Sequence, residues 1–265
     1  MRSISSGVSA TAFLTALARN EATEDPNIEF ADHYAKRFAE LCPPGIRSIT
    51  RGTIGLSTAV ARSRIIDELI TEALRDSLVD CFLNLGAGFD SRPYRLDELC
   101  RIKSIEIDLP EILEFKEAIL PEGESPGELR RVSCDLSNLD ELANALTSHC
   151  CGTNVLLISE GLLTYFPTSF VSDLATWIFR LNIVSNWIAD VITIPSAEHL
   201  SLMSRQQGFR NIEMYGLQDL EVFESHGWRC DRYLPLPSAR SIRTREPGVA
   251  FSKRIIDGVI QLSRL

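Results

Sequence analysis

The spacing of apolar positions changes near residue 79. Before it, apolar residues recur three and four apart; after it, short apolar runs alternate with helical stripes. Val8, Ala10, Phe13, Leu14 and Leu17 mark one face of a helix over 8–20. Ile28, Ala31, Ala35, Phe38 and Leu41 mark a second over 28–41, which Cys42-Pro43-Pro44-Gly45 breaks. Leu56, Val60, Ile65, Ile66, Leu69, Ile70 and Leu74 mark a third over about 56–75. Beyond 79 the pattern predicts strands over 79–85, 102–107, 129–134, 154–159, 187–194 and 228–234, with a weaker one near 249–255. Helices are expected between them over 91–100, 109–120, 138–149, 168–182 and 216–226.

Alternating β and α units imply a mostly parallel, doubly wound sheet. Val155-Leu156-Leu157-Ile158 is a continuous apolar run, as a central strand covered on both faces requires. The expected organisation is an N-terminal helical cap over 1–78 and an α/β core over 79–265, joined as one compact unit. Ligands of such sheets bind at the carboxyl ends of the strands. Here those ends carry Gly86-Ala87-Gly88, Asp108, Asp135 and Glu160.

Gly86 and Gly88 permit positive φ and close approach of the backbone to a ligand. Asp108 ends the next strand 20 residues beyond Gly88, the layout of a nucleotide-type site whose acid holds ribose hydroxyls. Glu106 shares the face of Asp108 and is a rival; a capping acid before Leu109-Pro110-Glu111 is the plainer role for Asp108. Asp135 suits either an adenine amino group or another cap. Glu160 ends the central strand, where a carboxylate is costly unless paired or liganded. The third glycine of the dinucleotide pattern is replaced by Ser91, read here as a helix N-cap with Pro93 in the first turn. That replacement and Asp90 both argue against a diphosphate, so a nicotinamide-dependent oxidoreductase ranks second. Arg62 and Arg64 alone read as a solvated helix face.

Composition narrows the picture further. The chain of 265 residues is 45% hydrophobic and 24% charged, with net charge −9, the profile of an ordinary globule. The acidic balance disfavours nucleic acid. No apolar run reaches the ~18–20 residues that span a bilayer. The N-terminal apolar residues are interrupted by Ser, Thr and Arg, a helix face rather than a secretory leader, so the expected location is cytoplasmic. Seven cysteines without a C-x-x-C pair read as reduced thiols, and His33, His149, His199 and His226 show no metal spacing.

The run Asn84-Leu85-Gly86-Ala87-Gly88-Phe89-Asp90-Ser91-Arg92-Pro93-Tyr94-Arg95-Leu96 resembles the glycine motif of the leucine carboxyl methyltransferase family. That family includes bacterial polyketide-type O-methyltransferases and uses S-adenosylmethionine (SAM). Ala61 to Asp67, Glu106 to Ile112 and Ser159 to Pro167 are similar to its arginine helix, its E-V-D-x-P segment and its A-E-G-L-x-x-Y segment. Gly7 to Ala12 and Leu17-Ala18-Arg19 are typical of bacterial members.

The resemblance implies a Rossmann-like, seven-stranded SAM-dependent methyltransferase fold that closes with an antiparallel hairpin from strands near 228 and 250. It implies that Arg62 pairs with the methionine carboxylate, that Gly86, Ala87 and Gly88 pass against the cofactor, and that Asp108 and Leu109 hold the ribose end. Asp135 and Leu136 would contact the adenine, Glu160 would lie by the methionine amino group, and Tyr165 would orient the acceptor. An already ionised carboxylate acceptor needs no general base, and none is evident at the strand ends. Segment 195–215, which helps build the acceptor pocket in the family, looks short, favouring a small metabolite over a protein tail. The expectation is a SAM-dependent O-methyltransferase of a small carboxylic acid, monomeric or homodimeric, in secondary metabolism. Methylation of a protein C-terminal leucine and a non-catalytic SAM-fold subunit are the other readings.

Overall fold

The computed structural model describes residues 7–47, 55–76, 78–149, 152–209, 212–236 and 255–265. Its centre is one seven-stranded sheet: β1 (Cys81–Leu85), β2 (Lys103–Asp108), β3 (Leu129–Ser133), β4 (Val155–Ser159), β5 (Val184–Val191), β6 (Trp228–Pro235) and β7 (Gly258–Arg264). The order is β3-β2-β1-β4-β5-β7-β6. β1 to β5 pair in parallel, and β7 enters antiparallel between β5 and β6.

The apolar run in β4 has a direct cause. Val155 and Leu157 point into one core cluster with Leu83, Ile107, Trp187 and Leu174, while Leu156 and Ile158 point into another with Phe82, Ile188 and Val259. Helix α4 (Gly55–Asp76) covers the second face through Ile66, Leu69 and Ile70. Helices α7 (Leu139–His149) and α8 (Thr168–Leu181) cover the first. A third cluster joins α1 (Gly7–Glu24) and α2 (Ala35–Glu40) to Phe89, Tyr94 and Ile112, so the N-terminal helices are seated on the loop after β1.

Several elements differ from expectation. Only Ala35–Glu40 of the 28–41 stripe is helical, because Asp32 accepts the Tyr34 and Ala35 amides and starts the helix there. The 91–100 helix is split at Leu96 into α5 (Arg92–Arg95) and a 3₁₀ turn (Asp97–Arg101). Ser91 makes no cap; Asp90 accepts the Arg92 amide at 2.9 Å instead. β5 starts three residues earlier than 187, because Asn182 ends α8 in the left-handed region (φ 56°) and the chain turns at once into Val184.

Residues 195–215 were assigned no element but carry α9 (Ile194–Gln206), capped by Thr193, with Pro195 in its first turn. Only the four residues of α10 (Glu221–Glu224) are helical within 216–226, Leu217 being bridged to Thr193. Of the strand expected near 249–255, residues 249–254 lie outside the described residues and Ile255 is not in a strand; the antiparallel partner of β6 is Gly258–Arg264.

Candidate functional site

The glycine turn is fastened from below and from the front. Gly86 and Ala87 donate their amides to the Ile107 carbonyl, binding the turn to the end of β2. Gly86 has φ 69°, a left-handed conformation that favours glycine, and a Cβ there would lie 2.8 Å from Leu162 Cδ1. Gly88 has φ 43°, and a Cβ there would make ordinary contacts with Ala12 Cβ at 3.8 Å and the Gly86 carbonyl at 4.0 Å. Phe89 is stacked on Phe38 (4.6 Å) and edge-on to Phe13 (4.9 Å), while Arg19 of α1 donates to the Phe89 carbonyl at 2.7 Å.

The 20-residue spacing between Gly88 and Asp108 is a contact. Asp108 Oδ2 accepts the Gly88 amide and Oδ1 the Leu109 amide, each at 2.7 Å. Burial raises the proton affinity of Asp108 more than these amides lower it. Each carboxylate oxygen keeps a second lone pair for an incoming hydroxyl donor. Glu106 is spent elsewhere. It is fully buried, accepting from Lys116 Nζ at 2.9 Å and Arg131 Nε at 3.0 Å. Asp135 lies beside Asp108, since Cys134 donates its amide to the Asp108 carbonyl. Its carboxylate caps its own turn through Ser137, and Leu136 is buried behind it.

Glu160 and Arg62 meet, as different elements converge on the end of β4. Arg62 Nε donates to Glu160 Oε1 at 3.1 Å, Ser63 Oγ to the same oxygen at 2.7 Å, and Arg92 Nη2 to Oε2 at 2.7 Å. Burial alone would raise the Glu160 pKa, but Arg92, Arg62 and Ser63 outweigh it and hold the carboxyl well below the ordinary range. Arg62 Nη1 also reaches Asp190 Oδ2 at 3.1 Å, while Arg62 Nη2 has no hydrogen-bond partner among the described residues. Gly161 (φ 65°) passes under this guanidinium; a Cβ there would lie 3.2 Å from Nη2. Tyr165 donates to Thr11 Oγ1 of α1 at 2.9 Å and stands over the same end of the sheet.

Sequence reasoning missed most of the ionic network behind these groups. Arg92 also binds Asp67 (2.6 Å) and Asp90 (2.8 Å), Arg95 binds Asp67 (2.7 Å), and Arg19 binds Asp32 (2.9 Å). Asp90, read as a charge facing the ligand, is a buried partner of Arg92 and Asn84. Ser91 donates to Asp32 at 2.7 Å. Asp190 was missed because the misplaced strand 187–194 put it mid-strand; with β5 ending at Val191 it lies one residue beyond the Ser159–Ala189 pair, level with Glu160.

Over residues 10–179 the chain matches the leucine carboxyl methyltransferase family. It belongs to that family. A Mycolicibacterium gilvum protein named "Putative S-adenosyl-L-methionine-dependent methyltransferase" is 32% identical over 180 residues, 62% of this chain and 60% of its own length. A similarly named Streptomyces avermitilis protein is 30% identical over 177 residues, 63% and 62% of the two chains. The match thus spans about three fifths of those relatives. A Frankia alni protein of the same description is 25% identical over 85% of both chains.

Two solved structures share the fold. One is a DUF574 family protein from Streptomyces avermitilis (TM-score 0.62, 13% identity, 94% of this chain and 96% of that one). The other, from Thermobifida fusca, is described as a "putative methyltransferase" (TM-score 0.58, 12% identity, 94% and 93%). The expected fold is the observed one, the Rossmann-like, seven-stranded sheet of SAM-dependent methyltransferases.

Proposed function

We propose that this protein is a SAM-dependent O-methyltransferase whose acceptor is the carboxylate of a small molecule. The observation that carries the reading is the row of groups at the strand ends. Asp108 is offered on β2, the open glycine turn follows β1, Glu160 ends β4, and Arg62 is held between Glu160 and Asp190. This donor set fits the parts of SAM. The unspent Nη2 of Arg62 suits the amino-acid carboxylate, the carboxylates suit its ammonium and sulfonium, and Asp108 suits the ribose diol.

SAM supplies an electrophilic methyl group on a sulfonium. The chain's own part is to align an oxygen nucleophile with it and to exclude water. Tyr165, tied to α1 through Thr11 over this end of the sheet, would orient the acceptor. A carboxylate is ionised at neutral pH and needs no base. The placement of the four histidines agrees with this. His226 is engaged with Ser172, His149 lies beside the start of β2, and His33 and His199 are exposed. A dinucleotide is less suited to the turn, because the helix that follows it, α5, has four residues. Among the described residues no helix is long and apolar enough to cross a membrane.

Calorimetric titration with SAM and S-adenosylhomocysteine tests the cofactor; binding is expected, and its absence would overturn the proposal. Arg62→Ala and Asp108→Ala should each weaken binding tenfold or more, ~1.4 kcal/mol. Incubation with a panel of carboxylic acids, read by mass spectrometry, tests the acceptor. An ester product releases methanol in mild base, whereas an ether product, which does not, would move the assignment to a hydroxyl.

A further inference from the structure

The buried ionic network at the strand ends does not balance. Among the described residues, Arg19, Arg62, Arg92 and Arg95 are linked through ion pairs to Asp32, Asp67, Asp90, Glu160 and Asp190, so carboxylates exceed guanidiniums by one. The neighbouring set offers no relief. Lys116 and Arg131 are themselves matched by Glu106 and Glu117.

The surplus sits on Asp190. Glu160 is served by two guanidiniums and a hydroxyl, and Asp32, Asp67 and Asp90 each pair with Arg92, Arg95 or Arg19. Among the described residues Asp190 is served by a single guanidinium, that of Arg62, which donates to it through Nη1 and to Glu160 through Nε, and by the Gly161 amide at 2.6 Å. It is 5% exposed, at the carboxyl end of β5 beside the strand end that bears Glu160. Its proton affinity agrees: burial raises it more than Arg62 and the Gly161 amide lower it, the reverse of Glu160.

A buried carboxylate short of positive charge favours a ligand that brings one. SAM carries a carboxylate, an ammonium and a sulfonium, a net charge of one. S-adenosylhomocysteine has lost the sulfonium charge with the methyl group and is neutral. We propose that Asp190 is a specificity-determining residue, the surplus charge by which the site prefers the methyl donor over its demethylated product. The inference rests on the SAM reading above. Specificity of this kind is a difference between two affinities.

The test compares three ligands by calorimetry at about pH 8, where an ordinary carboxylate is ionised. They are SAM, S-adenosylhomocysteine and sinefungin, whose amine keeps the positive charge without a transferable sulfonium methyl. In Asp190→Asn the Gly161 amide keeps an acceptor. SAM and sinefungin should weaken about tenfold while S-adenosylhomocysteine changes less than about twofold. Asp190→Glu, which keeps the charge, should hold the native ratio.

Equal weakening of all three ligands, or an unchanged ratio, would overturn the proposal. Should the Asn variant not fold, the native protein supplies the same reading on acidification. Asp190 faces Arg62 from α4 and Glu160 and Gly161 from the end of β4, with Tyr165 nearby. Protonating it should weaken SAM more than S-adenosylhomocysteine, and a ratio flat with pH would count against it. If the native protein binds none of the three, the SAM reading itself falls and this one with it.

Discussion

Glu160 and Asp190 lie side by side and should respond oppositely to substitution. Removing the charge of Glu160 leaves Arg62 and Arg92 buried and undercompensated, so Glu160→Gln should cost about 3 kcal/mol in urea denaturation. The carboxyl of Glu160 is held below its unfolded-state range, so its contribution is complete above that range and is lost progressively as pH falls from there towards the lower folded value. The variant should therefore show a flatter acid limb in stability against pH, and an unchanged limb would refute the assignment. Asp190 has the reverse sign. Its folded form binds a proton more readily than the unfolded chain, so its ionised form detracts from stability above the ordinary carboxylate range. Asp190→Asn should raise the melting temperature near neutral pH by about 2 °C or more, the response of a chain this size to ~1 kcal/mol. One of these acids was legible in sequence and the other was not. Glu160 stands just after an apolar run, where its cost is plain, whereas Asp190 is followed by Val191 and Ile192 and reads as strand interior.

Legibility among the elements follows the strength of the amphipathic signal. Helix α4, with Ile66, Leu69 and Ile70 on one side, lies within a residue of its expected limits. Helix α9 escaped because its stripe is broken by Ser196, His199 and Ser204, although Thr193 and Pro195 are start signals. That start can be tested. Thr193 Oγ1 accepts the Ser196 amide, and Thr193→Ala should lower stability by about 1 kcal/mol, measured by thermal unfolding. Helix α1 was legible as a helix, but its attachment was not, because the partners are distant in sequence. Thr11 meets Tyr165, Phe13 meets Phe89, and Arg19 meets Asp32. Tyr165→Phe removes one hydrogen bond, worth about 1 kcal/mol. Hydrogen exchange should accelerate in α1 while β1 and β4 stay protected; uniform acceleration would mean that Tyr165 supports the whole fold rather than the seating of α1.

The alternation of strands and helices made the parallel half of the sheet readable, from β3 across to β5, because each βαβ unit is local in sequence. The closing hairpin was less legible for the opposite reason. β6 ends at Pro235 and β7 begins at Gly258, so their pairing joins segments that no tight turn marks. Yet β7 is an interior strand, bonded to β5 on one edge and β6 on the other. Ile260 and Leu262 enter the core on one face and Val259 the core on the other, all fully buried. Deleting residues 258–265 would open two strand edges and withdraw these three side chains, about 5–8 kcal/mol of apolar burial. A loss of that size is comparable to the whole stability of a typical domain, about 5–15 kcal/mol. The truncated chain should therefore lose its cooperative urea transition as followed by circular dichroism. Leu265→Ala, at a residue 75% exposed, should leave the midpoint unchanged within about 0.5 kcal/mol. A truncated chain with the native midpoint would mean that β1 to β5 and their helices fold independently of the hairpin, and that the two-sided pairing of β7 adds little to holding the strand ends that carry Glu160 and Asp190.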